Sequence, residues 1–155
     1  KSYQPLPHRL QPLGEKDGIK YYDDSISTIC ETTIQALNTL KDVDTVLIGG
    51  MDRGIDYSEL INFLSGHKVP HIILMEATGK RILEEILNGY PDFQDKDRLV
   101  LTDHLEDAVA KAKELTRPGH SCLMSPAAAS YGIFKNFEER GEVFARLVSG
   151  SDKLM

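Results

Sequence analysis

The stretch Thr45-Val46-Leu47-Ile48-Gly49-Gly50-Met51-Asp52-Arg53-Gly54-Ile55-Asp56-Tyr57 decides the fold. Its first four residues form a short apolar run without polar alternation, the pattern of a parallel strand covered on both faces. Glycines then break it. Three more runs repeat the pattern: His71-Ile72-Ile73-Leu74-Met75, Arg98-Leu99-Val100-Leu101 and Ser121-Cys122-Leu123-Met124. Ile19-Lys20-Tyr21-Tyr22 is a further strand candidate, paired with residues 9–13 across the turn-prone Glu15-Lys16-Asp17-Gly18. Helical spacing fills the gaps. Residues 28–40 carry Thr33, Ile34, Leu37 and Leu40 on one stripe, and residues 79–87 carry Ile82, Leu83, Ile86 and Leu87. Residues 105–115 carry Leu105, Ala108, Val109, Ala112 and Leu115, and residues 136–148 turn Phe137, Phe144, Leu147 and Val148 toward a core. Strand alternating with helix predicts an α/β fold: an open, mostly parallel, Rossmann-like sheet of about five or six strands with helices on both faces.

The chain has 155 residues, 18 basic and 24 acidic side chains and a net charge of −6. That size suits one domain with its own core. The acidic balance argues against duplex DNA as a partner. No apolar run approaches the roughly 18 residues that span a bilayer, so no membrane partner is expected. Cys30 and Cys122 lie in no Cys-x-x-Cys pair and form no disulfide framework, which suits a reducing, cytoplasmic setting. Residues 1–7 read as a proline-stiffened interdomain linker, residues 8–150 as the domain and 151–155 as a tail, with further domains expected upstream.

In such a sheet, ligands bind at the carboxyl ends of the strands. There the sequence places Asp23-Asp24-Ser25-Ile26-Ser27-Thr28, a loop with the composition of a helix cap or an anion seat. The glycines around Arg53 allow tight turns that could present its guanidinium to a carboxylate or phosphate. Ser125-Pro126-Ala127-Ala128-Ala129-Ser130-Tyr131-Gly132 lets backbone approach a ligand closely; it is not a Gly-x-Ser-x-Gly nucleophile elbow, and no histidine follows in triad order. Taken alone, the alanine run is better read as close helix–strand packing. His67 and His71 are separated by Pro70 and share no helix face, and no phosphate loop of the Gly-x-x-x-x-Gly-Lys-Ser/Thr type occurs. His8 and Arg9 could face an interdomain cleft or be merely solvated.

Taken together, Leu6-Pro7-His8-Arg9, Asp24-Ser25 with Thr28, Gly49-Gly50 with Asp52-Arg53-Gly54, and Ser125-Pro126-Ala127 to Ser130 continuing through Phe134-Lys135-Asn136-Phe137-Glu138-Glu139-Arg140-Gly141-Glu142 resemble the C-terminal domain of the Mur ligases. The similarity spans essentially the whole chain and is greatest to the D-glutamate-adding type. The resemblance implies a cytoplasmic, ATP- and Mg2+-dependent ligase of peptidoglycan synthesis. Its upstream domains would activate UDP-N-acetylmuramoyl-L-alanine as an acyl phosphate, and this domain would hold D-glutamate and close over ATP. It further implies that Thr28, Arg53, Ser130, Tyr131 and Phe137 contact the amino acid, that His8, Arg9 and Asp24 lie toward the nucleotide, and that no catalytic residue or metal ligand belongs to this domain. The isolated domain is then expected to be inactive, and the full enzyme a monomer.

One departure stands out. Where this type of ligase has Lys-Ala-Thr-Asn after Asp-Ser, this chain has Ile26-Ser27-Thr28-Ile29. An isoleucine cannot replace the charge of a lysine that helps hold glutamate. Either Arg53 carries more of the load or the accepted amino acid differs, L-glutamate being one alternative; a stand-alone, non-catalytic binding module is another. A phospho-receiver domain would share the acidic pair Asp23-Asp24, but it would need an acceptor Asp after the third parallel strand and a Lys after the fifth. Met75-Glu76 and Ser125-Pro126 stand there instead.

Overall fold

The computed structural model describes residues 6–150; the expected tail, and residues 1–5 of the expected linker, lie outside them. A six-stranded sheet runs in the order β1-β2-β6-β3-β4-β5. Its strands are β1 (Gln11–Lys16), β2 (Ile19–Asp23), β3 (Val43–Gly49), β4 (His71–Met75), β5 (Leu99–Leu101) and β6 (Ser121–Met124). Only β1 is antiparallel, joined to β2 through Asp17 and Gly18, both at positive φ (54° and 83°) as a tight hairpin requires. Five helices cover the sheet: α1 (Cys30–Thr39), α2 (Ser58–Gly66), α3 (Glu76–Gly89), α4 (Leu105–Leu115) and α5 (Phe137–Ser149).

The two-residue period of the strands sorts the core into two layers. Val46, Ile48, Ile72, Leu74 and Leu123 face α1, α2 and α3, whereas Leu47, Ile73, Met75, Cys122 and Met124 face α4 and α5. Burying both faces explains the uninterrupted apolar runs. Both cysteines are buried free thiols, and burial raises the Cys30 pKa to about 11. No helix among the described residues is long and apolar enough to cross a membrane.

Several expectations are corrected. The first strand is Gln11–Lys16, not residues 9–13, because His8 and Leu10 adopt left-handed φ (65° and 44°) and the Leu10 N–H donates to Asp24 rather than to a ladder. Helix α2 went unread; its Leu60, Ile61 and Leu64 are buried, but it is short and its N-cap, Tyr57, makes no side-chain cap bond. The loop before α1 supplies no cap either: the N-cap is Ile29, without a side-chain hydrogen bond. Phe137 is half-buried and meets His8 edge-on at 6.2 Å instead of entering the core, and Leu87 is exposed.

Candidate functional site

At the end of β2 the Asp/Ser loop turns inward. Asp24 accepts bonds from the Ser27 hydroxyl (2.6 Å), the Ser125 hydroxyl (2.7 Å) and the Leu10 N–H (3.0 Å). Burial pushes its pKa up, and those bonds hold it back. Asp23 accepts from the Ser25 N–H and lies 2.6 Å from His8 Nδ1. Beneath Ser25 sits the fully buried Arg140, whose Nε donates to the Ser25 hydroxyl (2.9 Å) and whose Nη2 donates to the Ser25 carbonyl (2.8 Å). Burial lowers its pKa to about 10, and its Nη1 has no hydrogen-bond partner. The Ser25 hydroxyl in turn donates to the Phe137 carbonyl (2.7 Å), tying this loop to the start of α5.

The loop after β3 is fixed in place. A Cβ at Gly49 would overlap the Met75 carbonyl, so glycine is required there. The Met51 N–H donates to the Ala129 carbonyl (2.9 Å), the Tyr57 hydroxyl to the Ala127 carbonyl (2.7 Å) and the Thr78 hydroxyl to the Met51 carbonyl (2.9 Å). Arg81, which sequence reasoning did not single out, pairs with Asp52 (2.9 Å), reaches the Ile55 carbonyl and stacks over Tyr57 at 5.1 Å. Arg53, by contrast, is exposed and makes no hydrogen bond or ion pair among the described residues.

Between these loops opens a cleft of about 470 Å³ lined by Ile26, Thr28, Arg53, Ala129, Ser130, Tyr131, Asn136, Phe137 and Glu138. It lies over β6 and β3, where the chain returns from β5 to the middle of the sheet, the crevice position favoured in open α/β sheets. Thr28, Arg53, Ser130, Tyr131 and Phe137 all border it, drawn from segments up to 109 residues apart (137 − 28). Ser130 is only 4% exposed, yet its hydroxyl has no partner among the described residues; nor has that of Thr28. The lining carries one cation, Arg53, and one carboxylate, Glu138. An isolated guanidinium with free hydroxyls suits a small anionic ligand. Asn136 and Glu138 were not singled out beforehand, although the helix start at Asn136 was visible.

His8, Arg9 and Asp24 lie to one side of the cleft. Arg9 and Asp24 border a separate cavity of about 120 Å³, whose wall Ile26 shares with the larger cleft. Arg9 is exposed there, whereas Asp24 has both oxygens committed inside the protein. No group of three or more His, Cys, Asp or Glu side chains among the described residues is placed to hold a metal ion. A cavity of about 440 Å³ at the ends of β4 and β5 is lined by Glu76, Lys80, Arg81, Thr102 and His104 among others. There Glu76 pairs with His104 (3.5 Å) and Arg81 with Glu85 (2.9 Å), while Lys80 has no ion-pair partner among the described residues.

No protein-family model matches the chain. Curated relatives do. A UDP-N-acetylmuramoylalanine–D-glutamate ligase of Thermoanaerobacter sp. (strain X514) is 36% identical over 150 residues, 96% of this chain and 32% of that protein. The like-named ligase of Chlamydia caviae is 34% identical over 154 residues, 99% of this chain and 35% of that protein. The chain thus spans about a third of the length of the curated relatives it matches. Among solved structures, a MurF ligase from Thermotoga maritima in complex with ADP superposes with a TM-score of 0.56 at 18% identity, covering 96% of this chain and 33% of the other. A murein peptide ligase from Psychrobacter arcticus gives 0.61 at 14% identity, covering 96% and 31%; at these identities the likeness is one of fold.

Proposed function

We propose that this chain is the C-terminal, amino-acid-binding domain of a Mur ligase, a cytoplasmic enzyme joining D-glutamate to UDP-N-acetylmuramoyl-L-alanine. In this reading the UDP-binding and ATPase domains precede it in the same chain, residues 1–7 link them to the domain, and the full enzyme is a monomer. ATP, with Mg2+ held outside the residues described here, supplies the activation of the muramoyl-alanine carboxylate as an acyl phosphate. The glutamate amine then displaces phosphate to form the amide.

The domain's part is binding, orientation and exclusion of water. Arg53 offers a charged, bidentate grip for one carboxylate of the amino acid, with Thr28 and Ser130 donating from their hydroxyls. Tyr131 and Phe137 form apolar walls. On the nucleotide side, Arg9 presents a guanidinium at the rim, while Asp23 and Asp24 fix His8 and the start of β1. The observation that carries the reading is the convergence on one cleft of the Arg53, Thr28 and Ser130 side chains, all without partners among the described residues.

The test is phosphate release and product mass from the full-length chain with ATP, Mg2+ and UDP-N-acetylmuramoyl-L-alanine, across D-glutamate, L-glutamate, D-aspartate and L-lysine. Turnover confined to D-glutamate is expected. Preference for L-glutamate would instead favour the alternative that Ile26 raises, since the cleft lacks the lysine charge this position otherwise brings.

A further inference from the structure

We infer that Asn136 is a substrate-positioning residue whose side-chain amide donates to a carboxylate of the amino acid in this cleft, an assignment that rests on the function proposed above. Asn136 is the N-cap of α5, and its Oδ1 accepts from the Glu139 N–H at 2.8 Å. That bond fixes the planar amide: the oxygen faces the helix, and the NH2 arm projects on the other side. A cap needs only the acceptor, and Asp, Ser or Thr would serve as well. The amide's two N–H donors are therefore surplus to capping, and they have no partner among the described residues.

Asn136 borders the cleft beside Ser130 and Phe137. The neighbouring Ser130 hydroxyl, on a residue 4% exposed, is likewise without a partner. Two neutral donors thus line the wall made by the residue 125–137 segment, while the cleft's one cation, Arg53, comes from the loop after β3. A dicarboxylic amino acid has one more carboxylate than that cation can grip. The Asn136 amide and the Ser130 hydroxyl supply donors for it, where an isoleucine at position 26 supplies none.

Capping and ligand binding can be separated by substitution. Asn136→Ser and Asn136→Asp both keep a good cap, but the first removes the amide donors and the second also sets a negative charge against the ligand. In the full-length enzyme, Asn136→Ser is expected to raise the KM for D-glutamate by about tenfold, and Asn136→Asp by more. Melting temperature and the KM for ATP should stay at wild-type values. An unchanged D-glutamate KM in both variants, with wild type turning over D-glutamate normally, overturns this assignment alone. A fall in melting temperature with both substrate constants disturbed also overturns it and leaves Asn136 as a cap. Failure of wild type to use any dicarboxylic amino acid removes the proposed function and this assignment with it.

Discussion

The two ends of the sheet use the same kinds of side chain to opposite effect. At the amino ends of the strands, Asp44 accepts from the Arg117 backbone N–H (2.9 Å) and from its guanidinium (2.7 Å), and the Thr45 and Thr116 hydroxyls are bonded at 2.8 Å. Asp42 there accepts from Ser121 (2.8 Å) and pairs with Lys20 (3.0 Å). At the carboxyl ends Asp24 is closed in the same way, but Arg53, the Thr28 and Ser130 hydroxyls and the Asn136 NH2 group border the cleft without partners among the described residues. Closed networks hold the strands in register. Open donors await a ligand, and unpaired polar groups of this kind lower stability in exchange for a binding site.

Substitutions should divide along the same line. The largest effect is expected for Arg53→Ala, with D-glutamate kcat/KM falling by about a hundredfold, the order for losing a charged partner of a carboxylate, and the melting temperature unchanged. Parallel kinetics and calorimetry on the full-length enzyme would show it. Ser130→Ala should lower kcat/KM by about tenfold, with a stability near wild type because the hydroxyl removed has no partner among the described residues. Asp44→Ala should do the reverse: a loss of about 1–3 kcal/mol in urea unfolding with kinetic constants intact. If Asp44→Ala altered the D-glutamate KM, the division between the two ends would fail.

Acid sharpens the contrast between two aspartates. Burial alone would raise the Asp44 pKa, but the Arg117 bonds outweigh it and hold the value below the ordinary carboxylate range. Its contribution is therefore complete above the unfolded-state pKa and is lost as pH falls through the lower folded-state value. The stability gap between wild type and Asp44→Ala should shrink in that acid window. Asp24 runs the other way: its raised pKa means that its burial penalty grows as pH rises from the unfolded value through the folded one. The smallest effect concerns Ile26→Lys, which restores a cation beside the cleft and should lower the D-glutamate KM severalfold. A rise would show that Arg53 and the neutral donors already complete the pocket.

The apolar runs of β3, β4 and β6 were legible because burial on both faces leaves them no polar positions, and the apolar spacing of residues 105–115 marked α4 to the residue. The short α2 was not, although Leu60, Ile61 and Leu64 carry helical spacing between Gly54 and Pro70. At the site, residue types and loop positions could be read, but their partners could not. Asp24 meets Ser125 across 101 positions and Arg140 meets Ser25 across 115. The loop at residues 23–28 has the composition of a helix cap, and only the return of β6 beside β2 turns its side chains inward. Asn136 was readable as a helix start; its surplus amide becomes visible only once the cleft is assembled.

Hydrogen exchange of the full-length chain, with and without saturating D-glutamate in the presence of UDP-N-acetylmuramoyl-L-alanine, tests the division most directly. Within this domain, added protection is expected in residues 26–30, 50–57 and 129–138, with residues 42–45 and 116–121 unchanged. Protection centred on residues 76–81 and 102–104, or absent from the segments around Arg53 and Ser130, would contradict the account.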